Sequence, residues 1–93
     1  MSIYILIFER DFTKSYTGFH KDLTEYQGII RWWHYIKSAY LISTNLTTKQ
    51  LSHVVTVLLQ KYSLGARYLV IEVNLSNRQG MLPKEAWKWI QEQ

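Results

Sequence analysis

A chain of 93 residues with 47% hydrophobic and 15% aromatic side chains has the length for one domain and the apolar content for a packed core. Those figures exclude a disordered tail and a catalytic domain joined to a regulatory one. The absence of cysteine excludes disulfides, a thiolate metal cage and a cysteine nucleophile, while the formal charge of +4 gives a modest bias towards polyanions.

The opening residues, MSIYILIF, lack the basic flank and small-residue cleavage site of a signal peptide. Their apolar run is far too short to span a membrane, so a cytoplasmic protein that begins with a strand is expected. Residues 3–8 are continuously apolar and rich in β-branched side chains, which predicts a strand buried on both faces, and Glu9, Arg10 and Asp11 end it abruptly.

From Thr17 the period changes. Phe19, Leu23, Tyr26 and Ile30 form a helical stripe, predicting an amphipathic helix that closes near Gly28. Residues 29–33 and 38–44 follow as two extended runs rich in Trp, Tyr and Ile, with a turn placed in residues 34–37 although no Asn-Gly or Asp-Gly marks it.

Thr47 with Gln50 three residues on is a capping box, and Leu51, Val54, Val55, Leu58, Leu59 and Tyr62 give the cleanest stripe in the chain, closed by Gly65. Residues 67–73 alternate as a strand, with Leu69, Ile71 and Val73 on one face and Tyr68, Val70 and Glu72 on the other. Residues 74–80 (NLSNRQG) are turn chemistry, and Pro83 is placed at the first position of a terminal helix reaching about Gln91. Trp87, Trp89 and Ile90 on that helix call for a docking surface.

The order β-α-β-β-α-β is that of an α+β, ferredoxin-like two-layer sandwich with a short C-terminal helix. Residues 1–93 form one domain, with residues 1–73 as its core and 74–93 as an extension. Right-handed crossovers place both crossover helices on one face of a four-stranded antiparallel sheet. The strands are apolar on both faces, so the second face needs a cover, either the terminal helix or a second copy of the chain. A twofold homodimer is the simpler expectation.

Four constellations could carry chemistry. Glu9 and Asp11, two residues apart at the end of an extended run, share a face and could hold a hard cation such as Mg²⁺; the alternative is a solvated strand end countered by Arg10 and Lys14. His20, His34 and His53 are scattered with no second ligand at zinc spacing, and His20 and His53 read as boundary residues of helices. Ser52 and His53 are neighbours in a helix, point about 100° apart and cannot act as a nucleophile and its base.

The segment from Arg31 to Lys37 (RWWHYIK) interleaves cations and rings, as a surface that stacks bases and neutralises phosphates would. Alternation puts Trp32 and Trp33 on opposite faces, one of them in a core. The terminal helix, last of the four, is basic and aromatic and would dock on its own sheet with Trp87 and Ile90 inward, or in a groove of a partner.

A first strand ending Ile7-Phe8-Glu9 and a third strand beginning Ser38-Ala39-Tyr40, set in this element order, resemble the small dimeric proteins of the CRISPR-associated protein two and VapD superfamily. Trp32-Trp33-His34-Tyr35-Ile36-Lys37-Ser38, Leu69-Val70-Ile71-Glu72-Val73 and Leu82-Pro83-Lys84-Glu85-Ala86-Trp87 are similar to its uncharacterised SinR-like branch. The resemblance spans most of the chain and implies a ferredoxin-like homodimer whose sheets face each other. In active members a Tyr-Asp at the end of strand one gives each subunit a metal-binding aspartate at the dimer axis, for cleavage of RNA or DNA. Phe8-Glu9 departs from that pattern, the longer glutamate would place a metal differently, and Asp11 has no counterpart.

Three functions follow as expectations. A homodimer that binds nucleic acid without catalysis, with Arg10, Lys14, Arg31, Trp33, His34 and Lys37 as contacts, stands first. A protein-binding module, such as a toxin-antitoxin partner or a phage-encoded inhibitor, using Trp89 and Tyr35, stands second. A Mg²⁺-dependent endonuclease using Glu9 and Asp11 stands third.

Overall fold

A computed structural model describes residues 2–65, 67–76 and 78–93. The elements run β1 (Ser2–Phe8), α1 (Thr17–Thr24), β2 (Ile29–Ile36), β3 (Ala39–Thr44), α2 (Thr48–Lys61), β4 (Tyr68–Glu72) and α3 (Lys84–Gln91). The strands form one four-stranded sheet in the order β2-β3-β1-β4, and each neighbouring pair is antiparallel. No helix of the described residues is long and apolar enough to cross a membrane.

β3 and β1 take the two central positions: β3 is buried at all six residues, whereas β1 buries Tyr4, Leu6 and Phe8 on one face and leaves Ile7 exposed on the other. On one face, Tyr4, Leu6 and Phe8 join Tyr40 and Ile42 of β3 beneath Phe19 and Leu23 of α1 and the five apolar stripe residues of α2. α2 begins as its residues require: the Thr47 side chain accepts from the Gln50 backbone N–H, and the Gln50 side chain accepts from the Thr47 N–H. It ends at Lys61, and the left-handed position after it is taken by Ser63, with φ 53°, ahead of Gly65. α1 and α2 approach closely at Gly18, where a Cβ would stand 2.4 Å from Tyr62 Cε1.

α1 is shorter than its stripe suggests. Thr24 turns its hydroxyl back to the His20 carbonyl at 2.8 Å, the helix stops there, and Gly28 reverses the chain at φ 104°. Tyr26 is therefore exposed and Ile30 belongs to β2, outside the core. The expected turn over residues 34–37 is also displaced: β2 continues to Ile36, and a two-residue turn at Lys37 and Ser38 joins it to β3.

β2 carries two register shifts that explain these differences. Ile29 pairs with Thr44 and Arg31 with Ser43, so Ile30 is an extra residue; Trp33 pairs with Leu41 and Ile36 with Ala39, so His34 and Tyr35 stand opposite Tyr40 alone. Each is a bulge, and each resets the alternation of the strand.

The second face is covered in part by the chain itself. Ala86 and Ile90 of α3 are buried on Trp33 and Leu41, with Ile5, Leu82, Trp87 and Trp89 packed around them. Arg31 holds Glu92 at 2.8 Å across the edge, an exposed pair that contributes at most about 1 kcal/mol. Pro83 stands one position earlier than expected, as the residue preceding the helix.

Beyond α3 a row of paired side chains crosses all four strands and is exposed on β2, β1 and β4, with Ala39 of β3 buried between them. Ile36 pairs with Ala39, Ala39 with Ile7, and Ile7 with Leu69. Ile7, Ile36 and Leu69 are 44%, 49% and 54% exposed.

Candidate nucleic-acid interface

The carboxyl end of β1, the turn between β2 and β3 and the loop leading into α1 meet at one end of the sheet. Arg10 leaves β1 towards the helix layer, where its Nη1 donates to the Lys37 carbonyl at 2.9 Å and its guanidinium lies 4.4 Å above the Tyr16 ring. A cation over an aromatic face is attracted by the negative face of the ring. Lys14 donates from Nζ to the Ser63 carbonyl at 2.7 Å, and Lys37 projects from the turn. Among the described residues none of these three cations has an acidic partner.

Phe12 stands between Arg10 and Lys14 in sequence and is 77% exposed. An exposed aromatic ring flanked in sequence by cations is the combination on which bases can stack. Composition gave no hint of it, because Phe12 is isolated in a polar loop and shows itself only through exposure.

The other nucleic-acid contacts expected from sequence are dispersed. Trp33 is buried under α3 and offers no face to a base. Arg31 is engaged with Glu92 on the far side of Trp33 along β2. Arg10, Lys14, His34 and Lys37 are the four that share one end.

Glu9 and Asp11 do not share a face, because the strand ends before them. Glu9 accepts from Arg67 Nη2 at 2.7 Å at the β4 edge. Asp11 Oδ1 accepts from the Thr13 backbone N–H at 2.9 Å and from its hydroxyl at 2.6 Å, and this hydroxyl bond, with the backbone bond behind it, holds the carboxyl below its ordinary range. A Mg²⁺ ion drawn to this chain alone would have to take one carboxylate from Arg67 and the other from its own loop. Among the described residues no three histidines or carboxylates gather to hold a metal ion. The donors do not fit a Mg²⁺ site within one chain.

Next to Arg10 the structure assembles what sequence left apart. A cleft of about 250 Å³ is lined by Arg10, Tyr16, Thr17, His20, His34 and Tyr40. His34 lies in the second bulge of β2, which turns its ring onto Tyr40. Its Nδ1 is 2.9 Å from the Ala39 carbonyl; a carbonyl only accepts, so Nδ1 carries the hydrogen and Nε2 carries the lone pair. His20, from α1, brings its Nδ1 to 2.7 Å from the Tyr40 hydroxyl, and the two imidazole centroids are 5.6 Å apart. Trp32 meets the His20 ring edge-on at 4.9 Å.

The electrostatics follow from burial. Burial pushes His34 below its ordinary value of 6.5, with the positive neighbours His20 and Arg10 adding to the effect and the Ala39 carbonyl opposing it. Burial raises the Tyr40 phenol to about 12, so it keeps its proton through the physiological range. His53, by contrast, is exposed on α2, away from this cleft. The signal for the cleft was present as His34 and Tyr40 flanking a short turn, but only the bulge brings them together.

No protein-family model, curated protein or solved structure matches this chain. The functional reading therefore rests on the geometry above.

Proposed function

We propose that the protein is a nucleic-acid-binding homodimer built on a ferredoxin-like subunit, gripping the phosphate backbone with Arg10, Lys14 and Lys37 and stacking a base on Phe12. The observation that carries this is the exposed Phe12, flanked in sequence by Arg10 and Lys14, neither of which forms a salt bridge among the described residues. Phosphate neutralisation supplies affinity without sequence selection, and base–aromatic stacking adds to it for any base. The strand order β2-β3-β1-β4 with α1 and α2 on one face supports the ferredoxin-like subunit.

Dimerisation is supported by the row Ile36, Ala39, Ile7 and Leu69, which runs across all four strands. The test is fluorescence anisotropy of a labelled single-stranded oligonucleotide with the whole protein. Binding that weakens in an Arg10→Gln, Lys37→Gln protein supports the reading, and equal binding by that variant overturns it.

The uncovered row also favours a second reading, in which the protein binds a different protein through its sheet face. A one-to-one complex with another chain isolated from the host, with no affinity for oligonucleotides, would establish that reading over the first.

A further inference from the structure

Four elements deliver polar groups to the cleft beside Arg10: His20 from α1, His34 from β2, Tyr40 from β3 and Arg10 itself from the loop after β1. Structural packing alone does not call for this set. Two imidazoles half in water contribute little to a core, whereas an imidazole with a fixed lone pair beside a second imidazole is what proton transfer requires.

The two rings have different partners and so different roles. His34 is locked by the Ala39 carbonyl with Nε2 as an acceptor, and its ring is held flat against Tyr40, centroids 3.9 Å apart and planes 5° from parallel. That is a base whose one lone pair is at Nε2. His20 meets a phenol that keeps its proton. In its charged form His20 donates Nδ1–H to the Tyr40 oxygen and retains Nε2–H as the proton to give away. Arg10, held on the Tyr16 face and by the Lys37 carbonyl, stands at the same cleft as a cation for a phosphoryl oxygen.

We infer that this cleft is an acid–base site for RNA, in which His34 and His20 act on one phosphodiester held by Arg10. In the step, His34 Nε2 takes the proton of a ribose 2′-hydroxyl, the 2′ oxygen bonds to the adjacent phosphorus, and the P–O5′ bond breaks. His20 Nε2–H protonates the leaving 5′ oxygen. The products are a 2′,3′-cyclic phosphate and a 5′-hydroxyl. The proton taken by His34 balances the one lost by His20, and no water or further reactant enters. RNA is the substrate class because the internal nucleophile is the 2′-hydroxyl, which a base and an acid suffice to use. Tyr40 is a positioning residue, orienting both rings.

The inference rests on the proposed binding of nucleic acid, and one experiment separates the two. Wild-type protein is given an end-labelled single-stranded RNA in the presence of EDTA, and in parallel the same strand with 2′-O-methyl groups throughout, which can bind but cannot react. The expected result is binding of both strands and cleavage of the RNA alone, ending in a 2′,3′-cyclic phosphate. The rate should depend on pH through His34, falling as acid protonates its Nε2, with His20, Arg10 and Tyr40 facing the ring. His34→Asn and His20→Asn should each lower the rate by about 10²-fold or more. Tyr40→Phe should lower it less and move the pH profile, which a structural role alone would not do.

Binding of both strands with no cleavage overturns the inference and leaves the binding reading standing. Failure to bind either strand overturns both. Cleavage at an equal rate by both histidine variants also overturns the inference. Should a variant fail to fold, the wild-type pH profile and cyclic-phosphate product decide, and a flat profile or a 3′-hydroxyl product counts against the site.

Discussion

The His34 imidazole lies face to face with the buried Tyr40 ring, planes 5° apart, because β2 carries one residue more than β3 between the pairs Trp33–Leu41 and Ile36–Ala39. Had the strand kept perfect alternation, Tyr40 would face a single residue and the chain would make an ordinary hairpin. The extra residue reaims a titratable side chain into the cleft beside Arg10, a placement typical of bulges.

That placement gives stability a dependence on pH. The folded protein holds His34 below 6.5, whereas the unfolded chain takes up its proton near 6.5. Between those values the unfolded state binds more protons, so stability falls as pH drops from 6.5 into the acid range. His34→Phe keeps a ring on Tyr40 and removes the titration. Melting temperatures of that variant should fall less steeply than those of the wild type from pH 6.5 to about 5, and parallel curves would contradict the assignment. Asp22, lowered first by its bond from Lys61 and then by that from Tyr62, loses its contribution only at pH values below 3.8 and does not confuse this window.

Phe12 is the sharpest single probe of the binding surface. Its ring contributes little to the core at 77% exposure, so Phe12→Ala should leave the melting temperature almost unchanged. Affinity for a single strand should fall about tenfold, the loss of about 1.4 kcal/mol of stacking. Anisotropy titrations of both proteins check this.

Leu69 tests the uncovered row. It is 54% exposed in the subunit, so a charge there is tolerated by the fold but not by a packed interface. Sedimentation should give a dimer for the wild type and a monomer for Leu69→Glu. A wild-type monomer at all concentrations would remove the homodimer from the account.

A buried hydroxyl gives a prediction about stability. Ser43 is wholly buried on the second face of the sheet, and its Oγ has no hydrogen-bond partner among the described residues. An unsatisfied buried hydroxyl costs about 1–3 kcal/mol, and alanine removes it with little change in volume. Ser43→Ala should raise the melting temperature or leave it unchanged; a marked fall would reveal a partner for the hydroxyl.

How much of this was legible in sequence depends on whether the pattern was local. Thr47 with Gln50 announced the start of α2, its stripe announced the face, and the continuous apolar run of β1 announced a strand, although only its Tyr4, Leu6 and Phe8 face is buried. The second face was read as needing a cover, and α3 takes part of it through Ala86 and Ile90. The bulges in β2 were not legible, since they depend on pairing with β3. For that reason Ile30 was assigned to a helical stripe and His34 to a turn. Glu9 and Asp11 were read as a pair by extending strand geometry past Phe8; the Glu9 backbone N–H still donates to the Arg67 carbonyl beside β4, but Asp11 lies in the loop and turns its carboxyl onto Thr13. Phe12 escaped because exposure is a property of the fold.

The central claim is that this end of the sheet grips a phosphate backbone, and its salt dependence tests that most directly. The affinity of the protein for a labelled single strand should be measured across a series of salt concentrations. With Arg10, Lys14 and Lys37 as contacts, log affinity should fall linearly with log salt at a slope of about −2 per subunit, and Lys14→Gln should make it shallower by about 0.7. An affinity indifferent to salt, or no binding at low salt, would contradict the account.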